Sequence, residues 1–176
     1  MGRLRKEDVP WAEYISYDPD TGTFTWIKKG SRKIIAGSPA CNHTKPDGYL
    51  NVTLWRVTVN AHHLAWYLAT GSHVPKGKQI DHVNRIRGDN RFTNLRLCTR
   101  TQNNANSSLQ SRRHGKFKNV MPTANGRWKT QVFAKRKTVF CGTFDTAEEA
   151  AIAADKIARR LYGEFAFLNC PERKTV

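Results

Sequence analysis

The chain has 176 residues, enough for one ordinary domain or two small ones, and its 39% hydrophobic content supports a modest core and excludes disorder throughout. Thirty Lys and Arg oppose fourteen Asp and Glu, a formal net charge of +16, so the long-range field recruits polyanions, nucleic acid before an anionic membrane surface. No run of about 18 apolar residues is present, which excludes a spanning helix.

The N-terminal stretch to Tyr14 has no apolar core of a secretory signal. Met1-Gly2 does not lead into the Ser or Thr of a myristoylation site. Cys41, Cys98, Cys141 and Cys170 are far apart and form no CxxC pair, so a zinc ribbon or a disulfide framework is not expected. They read as free thiols of an intracellular protein, with Cys98 and Cys141 in strand-like core positions.

Residues 8–47 form a β-rich lead-in. Tyr17-Asp18-Pro19-Asp20-Thr21-Gly22 is a turn sequence, and Thr23-Phe24-Thr25-Trp26 alternates polar and aromatic as a half-buried strand does. Residues 49–55 and 57–61 predict a hairpin, and His63 to Gly71 a short helix closed by glycine. Residues 79–83 and 94–98 are short strands joined by a polar, Arg-rich loop over 84–93, and a helix follows from Thr99 to 106. The Ser/Arg-rich stretch 107–113 reads as a linker.

Residues 114–170 form a second unit. Three strands are expected over 117–121, 127–133 and 137–144. In the middle strand Trp128, Thr130 and Val132 point one way and Arg127, Lys129, Gln131 and Phe133 the other. Thr146 and Glu149 make a capping box. Ala147, Ala150, Ala151, Ala154, Ala158 and Leu161 then fall on one helical face, with acids at the helix start and Arg159 and Arg160 at its end.

The chemistry concentrates in Ile80-Asp81-His82, Asp89-Asn90-Arg91-Phe92-Thr93-Asn94-Leu95-Arg96 and Thr101-Gln102-Asn103-Asn104. The Asp81 carboxylate and the Asn103 amide oxygen are suitable ligands for a hard divalent cation. His82, with an ordinary pKa near 6.5, is a base at neutral pH able to take a proton from water. Asn94 either holds the imidazole or pins the loop. Consecutive strand residues point to opposite faces, so a ligand at 81 and a base at 82 require local bending or different reach. In so basic a chain the natural electrophile for an activated water is a phosphodiester.

The stretch from His62 to Asn106, reading HHLAW, IDH, GDNR, TNLR and TQNNAN, resembles the HNH homing endonucleases. The resemblance implies a ββα-metal site with one Mg²⁺ or Mn²⁺ per active site, and no structural zinc. It makes Asp81 and Asn103 metal ligands, His82 the general base and Asn94 its orienting partner. His62 is either active-site support or a structural histidine tying the helix to the hairpin. His63 departs from the family's usual Arg, and Asn84-Arg85-Ile86-Arg87 from its usual Asn-Gly turn.

Gly126-Arg127-Trp128, Gly142-Thr143-Phe144-Asp145-Thr146-Ala147-Glu148-Glu149 and Gly163-Glu164-Phe165 resemble the AP2 DNA-binding domain. This implies a sheet that enters the major groove with a helix behind it. Lys118, Asn119, Met121, Arg127, Lys129, Gln131, Phe133, Thr138 and Phe140 would then lie on the exposed sheet face, as contacts to base edges and phosphates.

The expected architecture is α+β: a β-rich lead-in and ββα-metal nuclease domain over 1–110, then an AP2-type three-stranded antiparallel sheet packed on one helix over 111–176. The expected function is site-specific cleavage of double-stranded DNA by a homing, mobile-element or phage-type endonuclease, in the cytoplasm of a bacterial or phage-infected cell, with no membrane or obligate protein partner. Two rivals are a DNA-binding regulator with an inert nuclease half and a protein that binds or cleaves RNA.

Overall fold

The protein is represented by a computed structural model that describes residues 5–29, 34–41, 43–107, 116–134 and 137–171, without the side chain of Phe133. It mixes helices with small antiparallel sheets, an α+β arrangement. The chain divides into two compact units, Met1–Arg100 and Thr101–Val176. Most of the expected linker at 107–113 lies outside the described residues.

In the first unit, the short helix α1 (Trp11–Tyr14) runs into a hairpin of β1 (Ile15–Asp18) and β2 (Thr23–Trp26), paired from Ile15 with Trp26 to Asp18 with Thr23. Phe24 and Trp26 are buried, as the alternation requires. A second sheet has the order β3 (His43–Thr44), β4 (Leu50–Leu54), β5 (Val57–Asn60). Its two-residue turn places Trp55 and Arg56 at φ of 49° and 65°. Positive φ at both central positions matches the strand twist, and here non-glycine residues accept it. The Trp55 ring packs edge-on against Tyr14 at 5.1 Å, which offsets part of that strain.

Helix α2 (Ala61–Thr70) begins two residues before the expected start and ends on Gly71 in the left-handed conformation at φ 69°. It buries Ala61, His62, Leu64 and Ala65. The core gathers Trp11, Ile15, Phe24, Val52, Leu54 and Leu64 with Ile80 and Leu95. The last two come from the ribbon of β6 (Gln79–His82) and β7 (Leu95–Cys98), paired from Gln79 with Cys98 to His82 with Leu95. Helix α3 (Arg100–Asn106) follows, with all but its first residue in the second unit.

The second unit's sheet has the order β8 (Val120–Pro122), β9 (Trp128–Ala134), β10 (Lys137–Phe144), and α4 (Ala147–Tyr162) packs on it. The capping box forms: the Thr146 hydroxyl accepts from Glu149 N at 3.2 Å, and Glu149 accepts from Thr146 N at 3.3 Å. Ala150, Ala151 and Ala154 are fully buried, letting α4 lie so close that Thr130 donates to the Ala150 carbonyl at 2.6 Å.

Two expectations on burial are corrected. Cys141 is exposed, because it pairs with Gln131 on the outer sheet face; Cys41 and Cys98 are the buried thiols. Leu161 is 36% exposed, at the fraying end of the alanine stripe. Asp155 sits buried on that stripe instead, where its carboxylate accepts from Asn169 N and Nδ2, each at 2.9 Å, and from Cys170 N at 2.8 Å. Three donors offset the desolvation of one buried charge.

Candidate active site and nucleic-acid interface

Asp81 and His82 end β6, and both are buried, at 4% and 5% exposure. As consecutive strand residues they leave opposite faces of the ribbon. Asp81 stands across from Arg96, which donates from Nε to Oδ2 at 2.9 Å. The imidazole of His82 packs among aromatic rings, with centroids 5.2 Å from His62, edge to face, and 5.9 Å from Tyr49. Both faces of this short ribbon are covered, which is how adjacent polar residues both become buried.

His82 has its pKa lowered from 6.5, because burial penalises the imidazolium. The neighbouring Asn90 amide and the charges of Asp81 and Asp89 oppose that shift, while Arg87 adds to it. The imidazole is therefore neutral at pH 7, the form a general base requires.

The loop over 83–94 sets what surrounds His82. Asn94 does not spend its amide on the imidazole: Oδ1 accepts from Asn84 N at 2.9 Å, and Nδ2 donates to the Asp89 carbonyl at 2.8 Å. Of the two roles left open for Asn94, pinning the loop is the one the geometry gives it. Asn90, 1% exposed, lies beside His82; its Nδ2 donates to the Gly88 carbonyl at 3.1 Å, and its Oδ1 has no hydrogen-bond partner among the described residues. Asp89 accepts from Arg91 Nη2 at 2.6 Å and Asn84 Nδ2 at 2.7 Å, and these donors hold its carboxyl down at about 2, the Arg91 hydrogen bond being the largest effect.

The lead-in hairpin braces this loop. Tyr17 donates to the Asn90 carbonyl at 2.7 Å, and Phe92 N donates to the Pro19 carbonyl at 2.8 Å. Gly22 approaches so closely that a Cβ there would stand 2.5 Å from Arg91 N. Burial, with Asp18, Asp20 and Asp89 nearby, pushes the Tyr17 hydroxyl up to about 12, so it stays a donor.

On the other side, Tyr49 forms a wall. It packs on His62 at 5.0 Å, and the Arg87 guanidinium lies over its ring at 4.9 Å while donating to the Asp47 carbonyl at 2.7 Å. His62 is 6% exposed, its Nδ1 has no hydrogen-bond partner among the described residues, and burial pushes its pKa down to about 3. It is a neutral ring beside His82. The motifs did not single out Asn90, Arg96, Arg87 or Tyr49 for these places. The signal for Arg96 was its register opposite Asp81, and Asn90 was already part of the Asp-Asn-Arg triplet.

Asn103 lies half-buried on α3, in the second unit. Among the described residues no three His, Cys, Asp or Glu side chains gather to hold a metal ion.

On the C-terminal sheet, Thr130 and Val132 face α4 and are buried, with Trp128 packed beside them. Lys129 pairs with Thr143 and Gln131 with Cys141 on the outer face, where Gln131 Nε2 donates to the Thr138 hydroxyl at 3.3 Å. Arg127 is exposed and pairs with exposed Asp145 at 2.9 Å, a contact that costs little to exchange for a phosphate. Met121 pairs with Lys129 across β8 and β9.

Phe140 is a correction. A register shift between Thr138 and Phe140 sets Phe140 opposite buried Val132, on the α4 side, because one extra residue inverts facing along the rest of the strand. Lys118 is a second. It precedes β8, and its ammonium turns to the carbonyls of Asn104, Ala105 and Ser107 at 3.2, 2.8 and 2.7 Å instead of the sheet face. Asn119, at φ 64°, is a turn residue beside it. The Phe133 side chain lies outside the described residues.

Residues 59–105 match the family model described as HNH endonuclease. A protein of Acanthamoeba polyphaga mimivirus described as an uncharacterized HNH endonuclease is 30% identical over 108 residues, 61% of this chain and 56% of that protein. An AP2/ERF and B3 domain-containing transcription repressor of Arabidopsis thaliana is 44% identical over 54 residues, 31% of this chain and 15% of its own. A dehydration-responsive element-binding protein of Oryza sativa subsp. japonica is 46% identical over 57 residues, 31% of this chain and 18% of its own. The chain thus spans about half of the viral relative and under a fifth of these two plant relatives. No solved structure gives a significant match. The buried Asp81–His82 pair lies inside the matched segment, and residues 59–105 are the part of the chain similar to HNH endonucleases.

Proposed function

We propose that the chain is a site-specific endonuclease of the homing, mobile-element or phage type, which hydrolyses phosphodiester bonds of double-stranded DNA with one divalent cation and a histidine base. The nuclease chemistry is assigned to residues 1–110 as a ββα-metal unit. DNA recognition is assigned to residues 111–176 as an AP2-type unit.

The observation that carries this reading is the buried Asp81–His82 pair, with the base held neutral by desolvation beside Asn90. In the reaction, His82 accepts the proton of the attacking water. The rings of His62 and Tyr49 pack against the imidazole and restrict its orientation, and the pinned loop keeps bulk water from restoring its charge. Arg87, close enough to lower the His82 pKa, is a cation available to the scissile phosphate.

The donor chemistry fits a hard cation. The Asp81 carboxylate and the Asn103 amide oxygen are ligands of the kind Mg²⁺ prefers, and two protein ligands leave room for water and phosphate oxygens. Asp81, 4% exposed, already pairs with Arg96 through Oδ2, so a cation bound there would share its carboxylate with that guanidinium. When bound, the cation would stabilise charge on the phosphate and on the leaving 3′ oxygen, giving 3′-hydroxyl and 5′-phosphate ends.

Recognition is assigned to the outer sheet face, with Arg127, Lys129, Gln131 and Thr138 as contacts and Asn119 at its edge. Incubating the full chain with bacterial and phage genomic DNA and Mg²⁺, then mapping new ends, tests the reading. Recurrent ends at one sequence are expected. Sequence-specific binding without cleavage at any Mg²⁺ or Mn²⁺ concentration would favour the regulator instead.

A further inference from the structure

Helix α3 has seven residues, fewer than two turns, too short to hold its conformation without tertiary support. Its last carbonyls lack intrahelical partners, like those of any helix end. They are satisfied from the C-terminal unit. Lys118 Nζ donates to Asn104, Ala105 and Ser107 carbonyls at 3.2, 2.8 and 2.7 Å, and Phe167 N donates to the Ala105 carbonyl at 3.1 Å. A cation at a helix C-terminus also complements the macrodipole. The same ammonium lies 5.5 Å from the Phe167 ring centroid.

Lys118 is itself held in place. Asn169 brackets its backbone, accepting from Lys118 N at 2.6 Å and donating to the Lys118 carbonyl at 3.1 Å. Asn169 in turn is fixed by the buried carboxylate of Asp155 on α4. A continuous set of hydrogen bonds therefore runs from α4 through Asn169 and Lys118 to the end of α3. A solvated surface lysine would show none of this.

We propose that Lys118 is a positioning residue that sets the pitch and rotation of α3, and so the direction of the Asn103 amide, and that it serves cleavage rather than DNA binding. The inference rests on the nuclease reading, in which Asn103 is a cation ligand.

The test uses the full chain and Lys118→Met, which keeps the stem and removes the charge. Three quantities are measured: duplex affinity with its salt slope, Mn²⁺ uptake by electron paramagnetic resonance, and single-turnover cleavage at saturating DNA. The proposal expects affinity within about twofold of the parent and an unchanged salt slope, weaker Mn²⁺ uptake, and cleavage slowed at least about tenfold. Lys118→Arg, which keeps charge and donors, should recover part of the loss; it also stands in should Lys118→Met fail to fold. A salt slope lowered by about one with cleavage unchanged would make Lys118 a phosphate contact and overturn the proposal. A parent that takes up Mn²⁺ and cleaves, with variants indistinguishable from it, overturns the positioning role alone. A parent that does neither overturns the nuclease reading, and the positioning role with it.

Discussion

Arg96 stands directly across the β6–β7 ribbon from Asp81, and its guanidinium reaches Oδ2 from both Nε and Nη2 at 2.9 Å. With side-chain exposures of 14% and 5%, this is a largely desolvated pair. Removing one partner of such a pair leaves an uncompensated buried charge, which costs about 3–5 kcal/mol. Arg96→Met should lower stability by that order in denaturant melts. Arg96→Met with Asp81→Asn should recover much of the loss, because no lone charge remains. A double variant no more stable than Arg96→Met would show that the pair is not the source.

The lead-in hairpin should matter to cleavage although it holds no catalytic group. Gly22 has φ 73°, and an added Cβ would meet Asn90 C at 2.7 Å and Arg91 N at 2.5 Å, all backbone. Neither chain can yield cheaply, so Gly22→Ala should cost about 1–3 kcal/mol and shift the segment that presents Asn90 to His82. Slower cleavage with intact DNA binding is expected. A variant that melts and cleaves like the parent would remove the brace.

Acid should destabilise the protein through His62. Its folded pKa is pushed to about 3, against an ordinary 6.5, so between those values the unfolded chain binds more protons and stability falls as pH falls. The contribution is fully present above pH 6.5 and is lost progressively toward pH 3. At pH 5 one such group costs about 2 kcal/mol. Melts at pH 7.5 and pH 5 should differ, and His62→Phe should flatten the difference. The same pH dependence in His62→Phe would place its origin elsewhere.

The outer sheet face should carry recognition. Lys129→Ala and Gln131→Ala should each cost about 1–3 kcal/mol of duplex affinity where a base contact is lost. Thr143→Ala, on the same face but neither cationic nor amide-bearing, is the control. The assay is a competition titration at fixed salt, run also on residues 101–176 so that α3 stays with its supports. Unchanged affinity in both variants would move the interface off this face.

Much of the fold was legible because it rests on local rules. Gly71 ends α2, Thr146 and Glu149 cap α4, and the two-residue periodicity around Thr130 separates buried from exposed positions. What was not legible depends on a distant contact or an irregularity. Asn90 and Asn94 stand four positions apart in one loop, and the backbone at Asn90 is held by Tyr17, 73 residues away in sequence. One irregular step near Val139 moved Phe140 to the other face. The Lys118 stem reaches a helix whose end lies across the Ser/Arg-rich stretch, which residue type alone does not disclose. Asp155 in an alanine stripe made sense only once its three donors were found.

The central claim is that His82 is the base. Its folded pKa lies below 6.5, so single-turnover cleavage should rise with pH along a limb whose midpoint is under 6.5, then level off. Asn90→Ala removes a neighbouring amide that favours the protonated ring, so it should move the midpoint lower still. The most direct measurement is cleavage by His82→Ala at matched, saturating Mg²⁺ and DNA. A loss of about 10²–10⁴-fold is expected, with duplex affinity and melting behaviour retained and no recovery from added metal. Cleavage by His82→Ala at the parent's rate would contradict the mechanism.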